Sequence, residues 1–177
     1  VLLWRMEGIV PWAAVLIPVA ALPLLALSGY MILHRDMLRA VMTAVAAAVV
    51  IHVGLFITVI PHLHTLWLSP RLAGLVAAHR PCAQTIVAST SDSEPSLVFL
   101  LGQDTRLINA AAAADFLQQN QKCGMALVGA RDLAAFGARA LQDGLDVHEL
   151  GQETGLNYST GKHLEIGLYA VVPPSVP

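Results

Sequence analysis

Four charged side chains, Asp92, Glu94, Asp104 and Arg106, fall within one short stretch of the chain. Their types suit group transfer: a carboxylate can take a proton from an attacking hydroxyl, and a guanidinium can hold an anion as it departs. Further on, Asn157 and Tyr158 sit in a Gly-bounded segment, Gly155 to Lys162. Each also has a plainer reading. Glu94 can cap a helix, Asp104 can shape a turn, Arg106 can be solvated, and Asn157-Tyr158-Ser159 can form a turn with the ring lying over the core. No Gly-x-Gly-x-x-Gly follows the first strand of this region, and no P-loop lysine motif occurs, so nucleotide chemistry has no support.

Metal ligands are scarce. His62-Leu63-His64 has the alternate spacing of ligands on a strand, but no cysteine or carboxylate adjoins it. With Trp67 close behind, it reads better as a pair of anchors at a lipid boundary. No metal or cofactor is expected in this chain. His52 stands alone in an apolar run, where an imidazole either relays protons or bonds to a neighbouring helix. Cys82 and Cys123 are the only cysteines. In an oxidising compartment they could form a disulfide worth about 3 to 4 kcal/mol, and otherwise they read as two small buried thiols.

The elements that hold these residues belong to two physical classes. Of 177 residues 56% are hydrophobic and 12% charged, about half the charged share of an ordinary soluble domain. The apolar excess lies in the first third, where Arg5, Arg35, Arg39, Glu7 and Asp36 are the only charges before residue 61. Val10 to Leu33 carries none and is long enough to cross about 30 Å of hydrocarbon; Leu38 to Ile60 is a second long apolar run, charged only at Arg39 near its start. Residues 1–66 are therefore expected to be a transmembrane region with spans at about 10–33 and 38–60, and residues 67–177 a small α/β domain. Pro18 and Pro23 predict kinks in the first span.

Arg35 and Arg39 flank the short connection between the runs, which puts it on the cytoplasmic side by the positive-inside tendency. The α/β domain then lies outside, in the periplasm of a bacterial inner membrane. No signal peptide is recognisable, and the opening residues read as the continuation of a longer protein. With no basic patch, nucleic acid is not an expected partner. The lipid bilayer is.

Beyond residue 66 the pattern shortens. Ser69-Pro70 starts a helix with Leu72, Leu75 and Val76 on its apolar face, and 85–88 is a β-rich run. Glu94-Pro95 opens a helix that stops at Gly102, and 105–108 is strand-like. Asn109 caps a helix over 110–119, 125–128 is a buried strand, and a helix from Arg131 places Leu133, Phe136, Ala140 and Leu141 on one face before Gly144. Residues 145–150 and 164–172 are the last strands. In the second of these Leu164, Ile166, Leu168 and Ala170 alternate with Glu165, Gly167 and Tyr169, which predicts one buried face. The fold class is two transmembrane helices followed by a small periplasmic α/β domain with a mixed sheet.

Glu94-Pro95-Ser96-Leu97-Val98-Phe99-Leu100-Leu101-Gly102, followed by Asp104-Thr105, resembles the outer C-terminal region of bacterial multi-spanning glycosyltransferases, the group of aminoarabinose transferases and protein O-mannosyltransferase-like enzymes. Ala126-Leu127-Val128 through Ala135-Phe136 is similar to the same region. So is Gly155-Leu156-Asn157-Tyr158-Ser159-Thr160-Gly161-Lys162, with Leu156 where the family has Phe. The resemblance implies an integral membrane enzyme that moves a sugar from a polyprenyl-phosphate carrier to a periplasmic acceptor. It places the catalytic acids, and any divalent metal, in a first outer loop to which nothing here corresponds. No catalytic residue is therefore assigned in this chain, and the isolated chain is expected to be inactive. Asp92, Glu94, Asp104, Arg106, Asn157 and Tyr158 are carried forward as substrate-facing candidates, Tyr158 as a ring that could stack on a sugar. The alternative is a non-enzymatic, membrane-anchored binding module.

Overall fold

A computed structural model of the chain describes residues 12–90, 95–157 and 161–171. It divides between His64 and Thr65 into two compact units.

The first unit is a helical hairpin. Helix α1 (Trp12–Leu33) and helix α2 (Met37–Gly54) are joined by a tight turn in which Arg35 takes φ 60°. Asp36 caps α2, its side chain accepting from the Arg39 backbone N–H at 3.3 Å. Helix α1 contains Pro18 and Pro23, the prolines expected to kink the first run, within its span. The helices meet on small residues. Ala21 and Ser28 on α1, and Ala40, Ala47 and Gly54 on α2, recur at intervals of seven. Small side chains at that period keep one seam of an antiparallel pair in close contact. Ser28 Oγ donates across the seam to the Ala40 carbonyl at 2.8 Å, and a Cβ on Gly54 would overlap the Ile17 side chain.

Past Gly54 the second run changes geometry. Leu55–Val59 is a π-turn and Ile60–His62 a 3-10 turn. Pro61 has no N–H to continue an α ladder, and the Ile60 N–H reaches back five residues to the Leu55 carbonyl. The helical run Met37–His62 and the run Val15–Leu33 are both long and apolar enough to cross a membrane. His62 and His64, expected at strand spacing, instead sit in successive 3-10 turns.

The second unit is a three-layer α/β/α sandwich. In chain order its elements are α3 (Leu68–Ala78), β1 (Ile86–Ser89), α4 (Pro95–Leu101), β2 (Arg106–Leu107), α5 (Ala110–Gln119), β3 (Gly124–Gly129), α6 (Leu133–Gln142), β4 (Val147–Asn157) and β5 (Lys162–Val171). The sheet order is β2-β1-β3-β5-β4, with β2, β1 and β3 parallel and the β4–β5 hairpin antiparallel to them. It is a mixed sheet of five strands.

Residues alternate between its faces with period two. Val87, Met125, Leu127, Ile166 and Leu168 pack with Leu72, Val76 and Leu97 from α3 and α4. Ala88, Ala126, Val128 and Tyr169 pack with Phe116, Leu117, Phe136 and Ala140 from α5 and α6. This corrects the single buried face expected for the last strand: Ile166 to Tyr169 are all buried, because helices cover both sides. Other expectations shift as well. Ser69 does not cap α3, which starts at Leu68; its buried hydroxyl meets that of Ser96 on α4 at 2.9 Å. The strand at 105–108 shrinks to two exposed residues at the sheet edge. On α6 only Phe136 and Ala140 are buried, and Leu141 is 81% exposed.

Asn109 does cap α5, accepting from the Ala112 N–H at 2.9 Å, and Gly102 and Gly144 end their helices at positive φ. The Gly-bounded segment from Gly155, read as a loop or hairpin, is a hairpin: it is paired strand as far as Asn157 opposite Lys162, and Gly161, at φ 67°, holds a turn conformation among its described residues. Gly151 and Gly155 lack side chains because α3 presses on them. A Cβ at Gly151 would lie 2.8 Å from Leu75 Cδ1, and one at Gly155 2.9 Å from Leu68 Cβ.

Tyr169 lies under α6, its ring 5.4 Å from that of Phe136 and its hydroxyl donating to Glu149 at 3.0 Å. Burial first, and then the Glu149 carboxylate, push the phenol up to about 12 from its ordinary 10.0. A folded-state value above the unfolded one means this stability is complete below about pH 10 and is lost as pH rises toward about 12. Urea unfolding across that interval should show the wild type losing about 2 kcal/mol more than Tyr169→Phe. Parallel curves for the two proteins would contradict the buried, acid-facing phenol.

Candidate functional site

The order β2-β1-β3 makes the chain turn to one side of β1 and then to the other, so the connections leaving the carboxyl ends of β1 and β3 diverge, one to α4 on one face and the other to α6 on the opposite face. In an open α/β sheet that divergence opens a crevice, the usual position for a ligand. Thr90 closes the end of β1: its N–H donates to the Leu127 carbonyl at 3.0 Å and its hydroxyl to Asp132 at 2.9 Å. The Gly129 N–H in turn points at that hydroxyl, at 3.4 Å. Asp132 stands at the start of α6 but spends its carboxylate on Thr90 and makes no side-chain capping bond to its own helix.

The hairpin extends past this edge. Gly129, the last residue of β3, pairs with Ile166, so residues 154–157 and 162–165 run beyond the parallel strands. Between hairpin and β3–α6 turn lies an open depression of about 330 Å³, lined by Gly129, Ala130, Arg131, Thr154, His163 and Glu165. The Ala130 N–H donates to the Glu165 carbonyl at 2.9 Å, which ties the two walls together. Arg131 is exposed at the mouth and has no ion-pair partner among the described residues. The Glu165 carboxylate accepts from Gln152. Among the described residues the depression thus offers the Arg131 guanidinium, one imidazole and backbone polar groups. It can hold an anionic or hydroxylated ligand.

No family model, curated protein or solved structure matches this chain. The family resemblance therefore rests on its motif residues. One of its three stretches, 126–136, supplies Gly129, Ala130 and Arg131 to this depression, whereas 155–162 falls between the lining residues Thr154 and His163 and contributes none.

Of the six residues singled out in the sequence, the three described ones, Asp104, Arg106 and Asn157, do not line it. Asp92, Glu94 and Tyr158 lie outside the described residues. Arg106 pairs with Ala88, so Asp104 falls level with the first residue of β1, at the amino end of the sheet. Both side chains are exposed, and the Arg106 guanidinium sits 5.9 Å from the centre of the Phe116 ring. Asn157 ends β4 at the hairpin, its carbonyl accepting from the Gly161 N–H at 2.7 Å. Asp104 and Arg106 therefore occupy the opposite edge of the sheet from Asn157.

Cys82 and Cys123 are joined by a disulfide, with Cα atoms 5.7 Å apart. They precede β1 and β3, and the Ile86 N–H donates to the Cys123 carbonyl at 3.1 Å. Among the described residues no three His, Cys, Asp or Glu side chains gather as a metal site. Arg131 and His163 are the residues that the motif reading passed over. Arg131 reads in sequence as the start of a helix, which in fact begins at Leu133 behind a turn. Only the strand order shows that this turn lies at the divergent edge.

Proposed function

We propose that α1 and α2 span a bacterial inner membrane, that the α/β unit lies on its periplasmic side, and that the chain is the outer C-terminal part of a glycosyltransferase using a polyprenyl-phosphate-linked sugar. The observation that carries the membrane reading is the state of the apolar side chains. Only 11% of each apolar window is buried, and Leu16, Leu22, Val41, Met42, Phe56 and Ile57 are all more than half exposed. A core helix of a soluble protein would hide such residues; lipid tails leave them at no disadvantage. The disulfide supports an oxidising compartment for the second unit.

The transferase reading rests on the resembling stretch 126–136, which supplies one wall of the depression, and on its Arg131, an exposed guanidinium without an ion-pair partner among the described residues that could hold a phosphate or a sugar hydroxyl. Among the described residues the acids beside it accept hydrogen bonds, Asp132 from Thr90 and Glu165 from Gln152. On this reading the unit orients a ligand, and the proton-accepting carboxylate is supplied elsewhere in the protein. That same engagement favours a second reading, a membrane-anchored module that binds a polymer or partner without chemistry. Sugar transfer from polyprenyl phosphate by the full-length protein in membranes separates the two. The transferase reading predicts transfer that falls at least about tenfold in Arg131→Gln, and absence of transfer in the wild type leaves the binding module.

A further inference from the structure

His52 is the one ionisable side chain within the uncharged part of α2, and its ring is exposed on the helix surface. Its Nδ1 lies 2.7 Å from the Ala48 carbonyl oxygen. A carbonyl can only accept, so Nδ1 carries the hydrogen and Nε2 of the neutral ring is left as an acceptor. With the helix in a bilayer, as proposed above, that acceptor faces hydrocarbon. It lies ten residues, about 15 Å of helix, from the end of the run at His62. An acceptor left unmet at that depth in hydrocarbon is costly.

The hairpin cannot meet it from within. Thr58 spends its hydroxyl on the Gly54 carbonyl at 2.7 Å, and Ser28 spends its own on Ala40 at 2.8 Å. The stretch of α1 level with His52, set by the Ile17–Gly54 contact, is Val15 to Ala20 and carries no side-chain donor. A second copy in the same orientation would bring the same donorless stretch and another acceptor. On the helix surface Val41, Val45 and Ala48 share the His52 face at helical spacing, all exposed.

We propose that this face is covered by a further transmembrane helix, not one of this hairpin or its copy, which presents a hydrogen-bond donor side chain to His52 Nε2. Lying between Val45 and His52 on this face, the small side chain of Ala48 gives the incoming backbone room to approach. The inference rests on the membrane reading, and the experiment separates the two. The full-length protein in native membranes carries a benzophenone amino acid at position 45 or 48, or at the control position Leu38, and the cross-linked peptides are sequenced. Carbonate extraction of the same membranes reads the membrane assignment independently.

The expected result is a product from positions 45 and 48 with an apolar helix whose donor residue lies within a turn of the cross-link. That product falls roughly three- to tenfold in His52→Leu and is retained in His52→Gln, whose amide oxygen can accept. Products with phospholipid alone, a product of two copies of this chain, or yields indifferent to His52→Leu overturn the proposal. Extraction into the aqueous phase would instead remove the membrane reading beneath it.

Discussion

Opening the Cys82–Cys123 disulfide should lower the stability of the α/β unit by about 3 to 4 kcal/mol. The bond joins residues 41 apart, and the loop it closes contains β1, α4, β2 and α5. In the unfolded chain that loop loses much of its conformational freedom, and the folded unit gains by comparison. The bond also holds the amino ends of two adjacent parallel strands, pairings whose contacts are distant in sequence and slow to form. Guanidinium unfolding of the detergent-solubilised chain, with and without reductant, measures the effect. Cys82→Ser, Cys123→Ser and the double variant should match the reduced wild type, since one cross-link is lost in each. Equal midpoints with and without reductant would show that the bond contributes nothing to the fold.

Phe136→Ala is expected to cost about 3 to 5 kcal/mol. The ring is 2% exposed, and it fills the space between α6 and the sheet beside Tyr169 and the alanines of α5. Its removal leaves a cavity that small neighbours cannot collapse to fill. For a domain whose whole stability is of the order of 10 kcal/mol the consequence is large. Amide exchange of β3 should quicken by between a hundredfold and several thousandfold if these amides open by global unfolding. Leu141→Ala, on the same helix but 81% exposed, should leave exchange within about twofold. A large effect at Leu141 and a small one at Phe136 would mean that α6 is rotated from its described position.

These two residues also show where the sequence is readable. Phe136 and Leu141 both fit an apolar face at helical spacing, and spacing cannot say how wide the covered stripe is. The packing of α6 against Ala113, Ala114 and Phe116 decides that. Tyr169 was harder to read. Its alternation with Ile166 and Leu168 places it on the other face of the strand, but only the presence of α5 and α6 makes that face interior. Gly151 and Gly155 look like loop residues in a linear reading, because the close approach of α3 that requires them is non-local.

The two long apolar helices, by contrast, are legible directly. Their length and apolar composition can be read along the chain with no knowledge of what packs against them. The capping of α5 by Asn109 and the stops at Gly102 and Gly144 were legible for a similar reason: each is settled within a few residues. The depression at the carboxyl edge was not legible. Arg131 and His163 are 32 positions apart, and the strand order that brings them to one rim follows from pairings no local pattern encodes.

The measurement that bears most directly on the central claim is a pair of reporter fusions placed after Val171, alkaline phosphatase and a fluorescent protein that folds only in the cytosol. With lipid around α1 and α2 and the α/β unit outside, the phosphatase fusion is active, the fluorescent fusion is dark, and both stay in the membrane through alkaline carbonate. A fluorescent fusion with inactive phosphatase, or release of the chain into solution, would contradict the account.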